Sequence, residues 1–137
     1  MYMETALTSF KAGDTIYLDV MLQGNTNYTQ IKAAIGYNSE LLEYVGYANL
    51  SGLVAEAKKD GTDKISLRSV ATLNMAAGAS CVTPVKVATL KFKVKDNLEN
   101  NSETSDLSFV SLVVTPTVNF IEAKTTPGKP LPIILTR

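Results

Sequence analysis

The chain contains no histidine and no tryptophan. The first absence removes the commonest general base and the commonest transition-metal ligand. A Ser-His-Asp or Cys-His site cannot be assembled from these residues. The second removes the broadest aromatic platform for a sugar ring. The single cysteine, Cys81, excludes a disulfide within the chain. Its ordinary role is a small packing residue or loop thiol rather than a nucleophile. Charge of neither sign is in excess, with Lys plus Arg and Asp plus Glu at 13 each. A nucleic-acid or anionic-membrane surface needs a net basic patch, so no nucleic-acid partner is expected. No apolar run approaches the roughly 20 residues that span a bilayer, so no membrane insertion is expected. The segment before Phe10, MYMETALTS, lacks the basic start and long apolar stretch of a signal peptide. That fits a cytosolic protein, or equally a module of a larger secreted chain.

What is present is alternation. The 137 residues are 45% hydrophobic, enough for one sizeable core. No linker, repeat or low-complexity tract divides them, so residues 1–137 are read as one domain. After the turn Lys11-Ala12-Gly13-Asp14, Ile16, Leu18, Val20 and Leu22 alternate with Thr15, Tyr17, Asp19 and Met21. That is a strand with one buried face. Gly24 to Asn27 make a loop. A second strand, 29–37, sets Ile31, Ala33, Ile35 and Tyr37 against Gln30, Lys32, Ala34 and Gly36. Short strands are expected at 44–47 and 53–59. Asp60-Gly61 signals a hairpin into a strand over 64–70, with Ile65 and Leu67 inward and Ser66 and Arg68 outward.

Residues 72–84 read as a loop, with room for one helical turn near 73–77. In the strand 86–95, Ala88, Leu90, Phe92 and Val94 face in, and Thr89, Lys91, Lys93 and Lys95 face out. Such a row of lysines discourages edge-to-edge pairing. Asp96 to Ser105 reads as a polar loop. Leu107 to Val114 reads as a strand that is apolar at both parities, so its outward face is undetermined. A short hairpin fits 119–123, and a final strand fits 131–136. Eight or nine short strands with turn signals between them describe an all-β sandwich or barrel.

The stretch YNSELLEYVGY, residues 37–47, reads as a strand-to-strand crossover. Asn38 can hydrogen-bond the backbone of the following turn. Leu41 and Leu42 cannot both face water on so short a turn, so at least one should plug the end of the sandwich.

Chemistry-bearing constellations are sparse. Asp60-Gly61-Thr62-Asp63 superficially resembles a calcium loop, but the position for the closing glutamate is Ala71. The acidic loop 96–105 has no glycine for the sharp turn. Glu40 with Glu43, and Asp14 with Asp19, are the candidate carboxylate pairs for glycoside hydrolysis, and nothing makes them converge. Neither a cofactor nor enzymatic activity is expected. Tyr17, Tyr28, Tyr44 and Tyr47 could serve a sugar, but Tyr44 and Tyr47 have opposite parity and should not form one flat strip. The face carrying Gln30, Lys32, Ala34 and Gly36 is flat and sparsely polar. Such a face suits a protein partner better than a small ligand, which wants a concavity.

Three stretches together resemble one family. FKAGDTIYLDVML (10–22), IKAAIGYNSELLEYVGY (31–47) and KVATLKFKVKD (86–96) are similar, in order and spacing, to strands of cohesin modules. The resemblance implies a nine-stranded jelly-roll β-sandwich from extracellular bacterial enzyme assemblies such as scaffoldins. It implies a non-catalytic module that binds a calcium-loaded dockerin on one flat sheet, with the calcium in the partner. The family's binding sheet uses its third, fifth, sixth and eighth strands. Carried onto this chain, it nominates Gln30, Lys32 and Ala34, then Glu56, Lys58, Ser66 and Arg68. The 72–84 loop and the Pro-rich ending depart from the commonest family pattern. Two other readings share the architecture: a carbohydrate-binding module taking a polysaccharide, and a structural domain of a bacterial adhesin.

Overall fold

Ten strands succeed one another along the chain in the computed structural model, with no helix among the described residues. These are residues 1–22, 28–50, 54, 56–68, 84–96, 98–99, 101–116 and 130–137, with backbone alone for 28–30, 85 and 113–116. Cys81, the turn near 73–77 and the hairpin near 119–123 lie outside them. The strands are β1 (Tyr2–Glu4), β2 (Ser9–Lys11), β3 (Thr15–Leu22), β4 (Tyr28–Gly36) and β5 (Leu42–Leu50). They continue as β6 (Glu56–Asp60), β7 (Lys64–Arg68), β8 (Val85–Val94), β9 (Ser102–Pro116) and β10 (Leu131–Thr136). Two sheets result: β1-β3-β8-β5, and β2-β10-β9-β4-β7-β6.

The inner faces follow from alternation. Ile16, Leu18, Val20 and Leu22 of β3 are buried, as are Leu90, Phe92 and Val94 of β8. From the other sheet, Ile31, Ala33, Ile35, Ile65, Leu67, Ile133 and Leu135 meet them in one core. Side chains of both sheets interdigitate there, which is what makes a sandwich stable.

The crossover 37–47 closes one end. The Glu40 amide donates to Asn38 Oδ1 at 3.0 Å. The amides of Leu41 and Leu42 donate to the Asn38 carbonyl at 3.2 and 3.0 Å. One turn forms and stops, because Leu42 begins β5. Leu42 is fully buried and Leu41 packs partly against the core. The rings of Tyr37 and Tyr44 flank Phe92 at centroid distances of 5.2 and 5.4 Å. At the hairpin, Asp60 pairs with Lys64 and Gly61 takes a φ of 73°. That left-handed conformation favours glycine.

Four expectations need correction. First, the described residues hold ten strands where eight or nine were expected, because Tyr2–Glu4 pairs with β3 and Ser9–Lys11 pairs with β10. Three-residue strands are too short to carry a period. Second, β8 is an interior strand, between β3 and β5. Its lysines therefore protect no edge; they stand on a solvated face. Third, residues 102–105 are strand rather than loop, paired with residues 133–136 of β10. A cross-strand partner overrides the polar composition of that segment. Fourth, β5 runs through residue 50, well beyond the expected 44–47.

Bulges explain the mixed parities. Val20 pairs with Ala88 but Met21 pairs with Lys86, so Val87 is an extra residue and joins Ala88 in the core. Ala34 pairs with Ser111 but Ile35 pairs with Phe109, which makes Val110 the extra residue of β9. The inward set of β9 thereby changes parity, from Ser105 and Leu107 to Leu112.

Candidate functional site

Four adjacent strands, β6-β7-β4-β9, build the outer face on which the nominated residues lie. Inward burial of Ala57, Ile65, Leu67, Ile31, Ala33 and Ile35 forces their neighbours outward. The antiparallel register then sets them in ranks. Glu56 stands opposite Arg68, and Arg68 opposite Lys32. Lys58 stands opposite Ser66, Ser66 opposite Ala34, and Ala34 opposite Ser111. Asp60, Lys64, Gly36 and Ser108 make the third rank. Six of the seven nominated residues thus fall into two consecutive ranks. The seventh, Gln30, pairs through its backbone with Thr115, and its side chain lies outside the described set.

The ranks differ in chemistry. Glu56, Lys32 and Arg68 carry charge, and Lys58 Nζ lies 3.2 Å from Glu56 Oε1. The middle rank begins with Lys58 and is otherwise small, with Ser66, Ala34 and Ser111, which leaves that part of the sheet open to close approach. A shallow depression of about 180 Å³ lies over Glu56, Lys58, Ser66 and Arg68. A second, of about 260 Å³, lies over Lys32, Ala34, Ser66, Arg68, Ser111 and Asp60.

Sequence reasoning missed the apolar member of this face. Val110 is 53% exposed on β9. A Cβ built on Gly36 would meet Val110 Cγ1 at 3.1 Å, so the valine lies across the glycine. The only signal for it was the run Phe109-Val110, whose parity cannot be read without knowing where the bulge falls.

Other candidate groups have structural duties. Asp14 Oδ2 accepts from the Lys11 amide at 2.9 Å in the β2–β3 turn. Asp19 accepts from Thr89 Oγ1 at 2.7 Å and meets Lys86 Nζ at 3.3 Å. The Tyr44 hydroxyl donates to the Ala57 carbonyl at 2.8 Å, so this ring ties β5 to β6 rather than presenting a platform. Its pKa is pushed up to about 12, first by burial and then by the neighbouring Tyr47 and Tyr37. Burial, then the Asp63 and Glu43 charges, also raise that of Tyr37. Among the described residues, no three His, Cys, Asp or Glu side chains gather closely enough to hold a metal ion.

A search of curated protein sequences returns no match. Among solved structures, the chain superposes on a cohesin, CaCohA2 of Clostridium acetobutylicum, in complex with CaDoc0917. The TM-score is 0.72 at 19% identity, covering 98% of this chain and 97% of that one. A type II cohesin domain from the cellulosome of Acetivibrio cellulolyticus gives 0.71 at 17%, covering 96% and 92%. The cohesin OlpC of Clostridium thermocellum, from a type I cohesin–dockerin complex, gives 0.73 at 12%, covering 98% and 92%. Identities this low show the shared fold. The sequence profile of the cohesin domain goes further, matching residues 4–129 and so spanning both sheets. On that match the chain belongs to the cohesin domain family.

Proposed function

We propose that this domain is a non-catalytic docking module that binds a calcium-loaded dockerin on the outer face of β6-β7-β4-β9, within an extracellular or cell-surface enzyme assembly. Residues 1–137 act as one binding unit, and calcium belongs to the partner. The observation that carries the reading is the register. The β6–β7 hairpin and β4, well separated from it in sequence, bring Glu56, Arg68, Lys32, Lys58, Ser66 and Ala34 into two adjacent ranks on one surface. An amphipathic helix laid across such ranks gains affinity from apolar contact and selectivity from charge. Val110 supplies exposed apolar area, and the small residues around it admit a helix closely.

Calorimetry against a panel of calcium-loaded dockerins, with polysaccharides in parallel, tests this. Tight binding to one dockerin class, lost on chelation while the domain's own melting temperature stays unchanged, is the expected result. Binding to a polysaccharide and to no dockerin would overturn it. Dockerin binding that survives Lys32→Glu combined with Arg68→Glu would move the interface off this face.

A further inference from the structure

Gly36 is a glycine that its own backbone does not require. Gly13, Gly46 and Gly61 take positive φ values, and Gly36 does not. It ends β4, an interior strand, and pairs with Lys64 of β7 on one side and Ser108 of β9 on the other. Glycine weakens such a strand, because it loses more freedom on folding and brings no side chain to pack. Ile35 and Tyr37 are buried, so the missing side chain belongs to the outer face. That space is filled from the neighbouring strand. A Cβ on Gly36 would meet Val110 Cγ1 at 3.1 Å, whereas the Ser108 carbonyl and hydroxyl oxygens lie at 3.8 Å. Val110 is the extra residue of the β9 bulge, so no β4 residue stands directly opposite it. Ordinary cross-strand pairing therefore does not fix its side chain.

From this we infer that Gly36 is a positioning residue of the docking face. Its bare Cα is the seat on which Val110 lies, and the lack of a Cβ sets the height of that exposed apolar side chain. The inference rests on the docking reading above and names what shapes its apolar contact. Ser108 shares the rank of Gly36, and Ala34 and Ser111 make the next, all of them small. Val110 is thus a low apolar rise beside a shallow floor. A helix laid on the face can touch both only while the rise stays low. A methyl at position 36 would make Val110 give by a few tenths of an ångström. The sheet backs it from below, so it gives outward. A raised valine would hold the partner off Ala34 and Ser111, and packing attraction falls steeply across such gaps. Alanine suits the backbone of β4 at this position, so the effect falls on the surface rather than on folding.

A double-mutant cycle on the whole domain tests this, with a calcium-loaded dockerin drawn from the panel above. Gly36→Ala is expected to lower affinity about threefold and Gly36→Val about tenfold, a part and then the whole of what one buried valine contributes. Val110→Ala removes Cγ1, so adding Gly36→Ala to it should cost about 1.5-fold at most. A merely structural glycine would lower the melting temperature and leave affinity alone. The melting temperature of Gly36→Ala is expected within about 3 °C of the parent. Nuclear magnetic resonance reads the seat without a partner: the parent should show a strong nuclear Overhauser effect between a Val110 methyl and the Gly36 α protons. Absence of that effect overturns the positioning role. So does a Gly36→Ala loss that persists undiminished in the Val110→Ala background, or full affinity in both Gly36 variants. Each of these leaves the docking reading standing. A parent domain that binds no dockerin overturns the docking reading and this inference with it.

Discussion

Tyr44 shows how much one side chain can do at the seam between two sheets. Its ring packs on Phe92 in the core, and its hydroxyl reaches the Ala57 carbonyl across to β6. The neutral phenol is the form that this environment favours, and the pKa stands at about 12. A group whose folded pKa exceeds its unfolded value of about 10 contributes stability that is fully present below pH 10. That contribution is lost as pH rises toward 12. Ultraviolet titration of tyrosinate should therefore show a component near pH 12 that Tyr44→Phe removes. Urea midpoints should fall between pH 10 and 12, and Tyr44→Phe should flatten that fall. A wild-type midpoint that stays level across this range would contradict the assignment.

At the scale of elements, the regular strands were legible and the bulges were not. Residues 15–22 and 131–136 are strands at the expected boundaries, the first because alternation with buried branched residues leaves no competing structure, the second because a short run rich in branched residues favours strand. Asn38, Leu41 and Leu42 likewise behave as their spacing implies. The dual parity of β9 was visible but unresolved. A bulge adds one residue to one strand only, and nothing in that strand's own sequence says which residue is added. Its position depends on the register with β4, which is a long-range property. The same ignorance hid the apolar part of the candidate site. The nominated polar residues of β4 and β7 could be assigned to one face because those strands keep their period, whereas Val110 sits where the period breaks. Val110→Ser removes apolar surface without adding charge. It should lower dockerin affinity by about tenfold, the equivalent of burying one valine, while leaving the urea midpoint close to that of the parent. Unchanged affinity in calorimetry would place Val110 outside the interface.

At the scale of the whole molecule, β2 and β10 lie side by side in parallel although more than a hundred residues separate them in sequence. Their ladder is bounded by the Ile134 amide on the Thr8 carbonyl at 2.9 Å and the Ala12 amide on the Thr136 carbonyl at 2.7 Å. Tension drawn backward through Ser9 and forward through Thr136 runs along both strands in opposite directions. Every hydrogen bond between them is then sheared at once, instead of opening one after another like a zip. Single-molecule stretching between residues 9 and 136 should need a markedly higher rupture force than stretching across the β6–β7 hairpin, which opens by unzipping. Equal forces in the two directions would deny the β2–β10 pair its part as a mechanical clasp.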